Sequence, residues 1–206
     1  IYTEGKIEIS LEDVCQVTQK TALKYDKDGD NHYDLLSAFQ KSIRGSDPDA
    51  AIFYLAKLIL SGDLMSICRR LMVIASEDIG LAYPMASVIV KSCCDSAFQL
   101  GFPEARIPLA DAVILLATAP KSNSGESAID AATAVVRRGG FGDVPSHLKD
   151  GANPTNNGGY KYPHAFPNHW VKQQYLPSEI KDHIYYSYGE NRTEQAAKAY
   201  WEKIKK

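Results

Sequence analysis

The sequence predicts an all-α protein, a roughly antiparallel helical array followed by an irregular arm rich in aromatics and proline. Three observations carry this. Apolar residues recur every three or four positions in successive runs of helical length. Capping residues and glycine or proline stops sit at the ends of those runs. No long alternating pattern of the strand kind interrupts them.

The stretch Tyr25–Asp63 organises the rest. Asn31 or His32 precedes a run, Tyr33–Arg44, in which Leu35, Leu36, Phe39 and Ile43 fall on one helical face. Gly45 is placed to end it as a left-handed C′ residue. Asp47-Pro48 then supplies an N-cap followed by proline at the first helical position. A second run, Ala50–Leu60, carries Ile52, Phe53, Leu55, Ala56, Ile59 and Leu60 before Gly62 stops it. The short Gly45-Ser46-Asp47 link makes the two helices antiparallel or steeply crossed neighbours. Arg44 closes the first helix and Asp47 opens the second, each with the charge that suits the dipole it meets.

Ahead of this pair, Ile1–Ile9 holds Gly5-Lys6 between short β-capable pieces, and Ser10 caps a helix with Asp13 at its third position. One short helix behind a β stub cannot bury itself, so this piece reads as the end of another domain. After the pair, Asp63 caps a long helix expected to run through Asp78. Pro84–Leu100 is next, ended by Gly101, then Pro103–Thr118, stopped by Pro120. Ser122 or Asn123 starts a helix to Arg138, ended by Gly139-Gly140.

At Gly139 the character changes. Gly, Asn, Pro and Asp dominate to Gly159, with one helical turn expected at Ser146–Lys149. Gly159–Tyr188 then mixes Tyr160, Tyr162, Phe166, Trp170, Tyr175, Tyr185, Tyr186 and Tyr188 with Pro163, Pro167 and Pro177. Proline forbids a long helix here, and the density of rings argues against disorder. The expectation is an ordered arm with short extended pieces, packed on the helices or on a neighbouring subunit. Thr193 begins a final amphipathic helix containing Trp201 and Ile204.

Hydrophobic residues at 45% and charged residues at 23% are ordinary for a soluble globular chain. A net charge of −2 gives no broad field for a polyanion. The charge is uneven: residues 1–50 hold 6 Lys/Arg against 10 Asp/Glu, and residues 160–206 hold 8 against 5. The tail is therefore the place for a polyanion to touch. Cys15, Cys68, Cys93 and Cys94 form no C-x-x-C pair and lie in apolar helical contexts, which reads as reduced thiols rather than a zinc or disulfide framework. No signal peptide and no membrane-spanning run is visible.

Candidate chemistry is sparse. Asp26-Lys27-Asp28-Gly29-Asp30 has the look of a calcium loop. An EF-hand beginning at Asp26 needs Gly at its sixth position and Glu at its twelfth, where Asn31 and Ser37 stand. No G-x-x-x-x-G-K-[ST] occurs, so nothing cradles a triphosphate. Glu77-Asp78 has two readings: paired acids for proton transfer, or carboxylates at a helix end bonded to amides or to an arginine. Neighbouring helical residues point about 100° apart, which favours the second, with Arg69, Arg70 and Arg44 as partners. Lys121 at a helix start either meets a phosphate or accompanies ordinary capping by Ser122 or Asn123. His32, His147, His164, His169 and His183 show no metal spacing. In the arm, Lys161 and Lys172 among aromatics suit single-stranded DNA, while rings such as Tyr162 and Trp170 equally suit a subunit contact.

The stretches YDKDGDNHYD, SAFQKSIRGSDPDAA, IASEDIGLA, APKSNS and GYKYPHAFPNHWVKQQYLP closely resemble the replication-associated recombination protein A family. These are clamp-loader-like AAA+ ATPases that include the Werner-helicase-interacting proteins. The resemblance implies that residues 1–32 end the AAA+ helical lid. It makes 33–206 a C-terminal oligomerisation domain, helical to about 140, with the arm and final helix in 141–206. It implies an ATP and Mg²⁺ site upstream of Ile1, so this stretch is expected to hold no cofactor and to hydrolyse nothing. Further implications are a homotetramer, DNA contact weak in isolation, a single-strand-binding protein partner, and a bacterial cytoplasmic, nucleoid-associated location. The alternative is a stand-alone all-α small-molecule enzyme.

Overall fold

A computed structural model describes residues 2–3, 6–7, 30–149 and 159–205. The expected Ser10 helix, Cys15 and the acidic turn at Asp26–Gly29 lie outside the described residues. At the N-terminus β1 (Tyr2–Thr3) pairs antiparallel with β2 (Lys6–Ile7), with Tyr2 opposite Ile7. All the remaining regular structure among the described residues is helical.

Helix α1 (Asp30–Arg44) starts two or three residues earlier than the apolar spacing marks. It buries Leu35, Leu36, Phe39 and Ile43. Its end differs by one residue from expectation: the left-handed residue is Ser46, with φ 58°, and not Gly45. Gly45 keeps a helical bond to the Lys41 carbonyl. The Ser46 and Asp47 amides then close back on Ile43 and Ser42 in a Schellman pattern. A Cβ at Gly45 would make a tight contact, 3.2 Å from the Lys41 carbonyl oxygen.

Helix α2 (Pro48–Leu60) begins as expected, with the Asp47 carboxylate accepting from the Ala50 amide at 2.9 Å and Pro48 at the first position. Helix α3 (Leu64–Ile74) is capped by Asp63, which accepts from the Ser66 amide at 3.1 Å. The expected continuation to Asp78 is not α-helical. The chain widens into a π-turn at Ala75–Ile79 and tightens into a 3₁₀ turn at Gly80–Ala82.

Helices α4 (Met85–Leu100), α5 (Arg106–Thr118) and α6 (Ser124–Arg138) follow. Helix α5 begins three residues after Pro103, because residues 102–105 form a turn closed by the Ala105 amide on the Gly101 carbonyl at 2.7 Å. Helices α1 to α5 share one core around Phe39, Ile43, Leu55, Leu58, Ile67, Leu71, Leu109 and Leu116. Cys68 and Cys94 are buried in it and Cys93 is half-buried. The hydrogen bond with Cys94 and burial together hold the Cys68 thiol well above its ordinary range.

Helix α6 departs from that pattern. Its apolar residues lie on one face, yet none of its residues is buried. Beyond Gly139 the expected turn appears as a 3₁₀ element at Ser146–Leu148. In the arm, 3₁₀ turns at Pro163–Ala165, Pro167–His169 and Ser178–Ile180 stand where short extended pieces are expected, each opened by or following a proline. Helix α7 (Arg192–Ile204) starts one residue before Thr193, with Asn191 as its N-cap. No helix among the described residues is long and apolar enough to cross a membrane.

Candidate functional site

The π-turn is where the chain's long-range polar contacts meet. An inserted residue in a helix swings the following side chains off the α period, a distortion common at functional positions. Here it presents Glu77 and Asp78 together to Arg44 at the end of α1. The Arg44 Nε donates to Asp78 Oδ1, and its Nη2 donates to Glu77 Oε1 at 2.5 Å. Asp78 is buried, and its second oxygen accepts from Gln40 Nε2 at 3.2 Å. Gln40 is held in turn by Arg70, whose Nη1 donates to Gln40 Oε1 at 2.8 Å. Of the arginines named from the sequence, Arg44 takes the carboxylates directly and Arg70 acts through Gln40.

This geometry commits both acids to an arginine fork. A fork receives two oxygens at fixed angles, so it sets how α1 crosses the end of α3. Glu77 and Asp78 do converge, but on the Arg44 guanidinium, which engages one oxygen of each. Asp47, one turn further on, caps α2 and takes no share of Arg44.

The same turn reaches α6. The Ser122 amide donates to the Asp78 carbonyl at 2.9 Å. Gly80, with φ 45° and ψ −128°, lets its backbone lie against Ser122; a Cβ there would sit 2.9 Å from the Ser122 carbonyl oxygen. Lys121 beside it is half-buried and donates to Ser46 Oγ, the Ala117 carbonyl and the Ala119 carbonyl at 2.9, 3.0 and 2.7 Å. Burial lowers its pKa, with Asp78 pulling the other way. All three bonds go to the protein, so Lys121 ties the α1–α2 turn to the end of α5.

A second cluster escapes the sequence reading. Glu194, in the first turn of α7, is 2% exposed. Ser122 Oγ and Ser124 Oγ each donate to its carboxylate at 2.6 Å, Tyr186 Oη donates at 2.9 Å and the Gly189 amide at 3.1 Å. Asn191 completes the set, its Nδ2 donating to Glu194 while its Oδ1 caps the Glu194 amide. Burial alone drives the Glu194 carboxyl upward; the bonds from Ser122, Ser124, the Gly189 amide and Asn191 outweigh it and hold it at about 2. Burial and the bond to Glu194 push the Tyr186 phenol up to about 12. The one local signal for this hub is the Asn191-to-Glu194 spacing, that of a capping box. With the Thr193 hydroxyl donating to the Ala82 carbonyl at 2.9 Å, the hub seats α7 on the turn that follows the π-element.

The arm residues lie elsewhere. Tyr162 is 60% exposed and Trp170 is half-buried, with no residue of 159–175 buried. Lys161 and Lys172 are exposed. Gln173 clamps the Lys161 backbone from both sides, accepting from its amide at 3.1 Å and donating to its carbonyl at 2.8 Å. No group of three or more His, Cys, Asp or Glu fit for a metal occurs among the described residues.

The class of this helical module is that of the C-terminal parts of AAA+ ATPases, as two family matches show. The MgsA AAA+ ATPase C-terminal family matches residues 45–205, and the AAA C-terminal domain family matches residues 2–44. The chain belongs to the replication-associated recombination protein A family, as these matches and its relatives show. It is similar to replication-associated recombination protein A of Bacillus subtilis, at 54% identity over 98% of this chain and 50% of that protein. The protein of that name in Escherichia coli is 36% identical over 88% of this chain and 42% of its own length. ATPase WRNIP1 of Dictyostelium discoideum is 33% identical over 88% and 22% respectively. The chain thus spans about half the length, or less, of these relatives.

Proposed function

We propose that this chain is the C-terminal association part of an AAA+ ATPase acting in DNA replication, recombination and repair. In this reading it joins subunits into a homotetramer and helps seat the complex on DNA alongside single-strand-binding protein. ATP and Mg²⁺ belong to the remainder of the protein, in keeping with the absence of a triphosphate-binding loop from the sequence. The names of the relatives support the biological setting. Burial of α1 in the common core supports counting residues 33–44 with the association domain, while the family matches divide the chain at residues 44 and 45.

One observation carries the association role. Helix α6 has an apolar face, with Ile129 63% and Val136 61% exposed, and buries nothing within one chain. Beside it, an open cleft of about 870 Å³ is lined by Met72, Val73, Leu81, Pro84 and Ile129. Apolar surface of this extent usually marks a contact with another protein. Analytical ultracentrifugation over a concentration series tests the reading. The expected result is a defined oligomer that Ile129→Glu dissociates. A monomer at tens of micromolar, on the scale where interfaces of standard size hold, overturns it.

A further inference from the structure

We propose that the arm carries a stacking platform for single-stranded nucleic acid, built from Tyr162, His164 and His169 and flanked by Lys161 and Lys172. It rests on the reading above that this chain helps seat its complex on DNA, and it assigns that contact to particular side chains.

Three observations converge on it. The first is a ladder of rings. Tyr162 and His164 have centroids 5.2 Å apart with their planes at 46°, and His164 and His169 are 5.0 Å apart at 53°, so three rings follow one another in tilted contact and leave ring faces open to bases. All three residues are exposed. The core buries none of them, and their order comes from the local backbone alone. That backbone carries the second observation. Asn168 and His169 both adopt left-handed conformations, with φ 55° and 52°, in the second of two successive short 3₁₀ turns. Neither is glycine, and such conformations cost energy that proteins retain where geometry is used. Here the turn folds His169 back onto His164.

The third observation is charge. From Gly151 to Pro177 the sequence contains no Asp or Glu, yet it contains Lys161, Lys172, His164 and His169. A protein interface gains nothing from excluding one sign of charge over so long a stretch. A polyphosphate backbone does. Lys161 is also pinned: Gln173 grips its amide and carbonyl, and the same Gln173 Nε2 donates to the Tyr175 hydroxyl at 2.7 Å. The backbone that carries this cation next to Tyr162 is thereby fixed, while the lysine side chain stays exposed. Rings that stack on bases without reading them, with lysines alongside for phosphates, are what sequence-tolerant single-strand binding requires. A duplex keeps its base faces covered and cannot use such a ladder.

The test uses the chain as it stands. Fluorescence anisotropy follows binding of a labelled oligothymidylate and of a duplex of equal length, between about 50 and about 200 mM salt. Expected is saturable binding that prefers the single strand. Tyr162→Ala and His164→Ala should each weaken it about tenfold, within the range stacked rings contribute. Lys161→Gln with Lys172→Gln should lower the salt slope by roughly 1.4, at about 0.7 per lost phosphate contact. Circular dichroism and ultracentrifugation of the same variants should be unchanged. The proposal is overturned if the oligonucleotide is not bound, if the ring variants bind it as the natural chain does, or if duplex is preferred. It is also overturned if the ring variants lose the oligomer together with the nucleic acid, which would make the arm a protein contact. Failure of the association reading shows in ultracentrifugation of the natural chain, and leaves the anisotropy comparison intact.

Discussion

Arg44 and Asp78 are 34 residues apart in sequence, yet the guanidinium of one closes on the buried carboxylate of the other. Through that pair the end of α1 is fastened to the π-turn after α3, and Glu77 accepts the second prong. The bond is charge-assisted and one partner is out of water. Losing it exposes a buried carboxylate to an unmet demand for donors, which Gln40 alone does not satisfy.

Arg44→Ala is therefore expected to cost about 2–3 kcal/mol, the range for hydrogen bonds to charged groups. Arg44→Lys should recover only part of this, because a single ammonium cannot serve both carboxylates with fork geometry. Urea denaturation of the two variants measures it. Equal stability of Arg44→Lys and the natural chain would show that the fork is not used.

Asp47→Ala should cost about 1 kcal/mol, the ordinary worth of an exposed N-cap, and Asp47→Asn much less. No larger loss is expected, since Arg44 is engaged with Glu77 and Asp78 and not with Asp47. The same denaturation series reads both variants.

Gly80→Ala and Gly62→Ala separate two uses of glycine. Both positions have positive φ, 45° and 76°, but a Cβ at Gly62 meets nothing within 4 Å. Gly62→Ala should cost about 1 kcal/mol for the left-handed backbone alone. Gly80→Ala adds a collision with the Ser122 carbonyl and should cost at least about 2 kcal/mol. Thermal melts that rank the two the other way would contradict the close approach at Ser122.

Glu194 makes stability depend on acid. Its folded carboxyl titrates at about 2, below the ordinary value of 4.5 that it regains on unfolding. The stabilisation is thus complete above the unfolded value and disappears as the pH falls from there towards 2. At neutral pH it amounts to as much as about 3 kcal/mol. Glu194→Gln should be less stable than the natural chain at pH 7, with the gap closing below about pH 4 and gone near pH 2. A gap that stays constant over this range would remove the charge from the account.

What the sequence discloses here follows the reach of each rule. Asp47-Pro48, Asp63, Gly62, Gly101 and Gly139 mark helix ends because capping depends on residues within one turn. The Gly45-to-Ser46 displacement shows the limit of that locality: glycine sits close against the Lys41 carbonyl, and the next residue takes the left-handed turn. The π-turn is not legible, since ASEDI continues the helical spacing and only packing against Arg44 and Ser122 displaces it. The Glu194 hub is harder still, drawing donors from Ser122 and Ser124, 72 and 70 residues away. Lys121 reads as a free cation until Ser46, 75 residues earlier, is seen to accept from it.

Helix α6 leaves one further consequence. Its 15 residues are near the length at which an isolated helix is only marginally formed in water. Ser124, Ala128, Ala132, Thr133 and Val135 are only half-buried and no residue is fully buried, so a single molecule protects its amides less than those of the core helices. Backbone exchange along Ser124–Arg138 should then obey mass action: rapid in dilute protein, and slowed as concentration rises, while amides around Phe39 and Leu71 stay indifferent to dilution. On the proposed association, the protection of this one helix is set by the population of molecules as well as by the single chain.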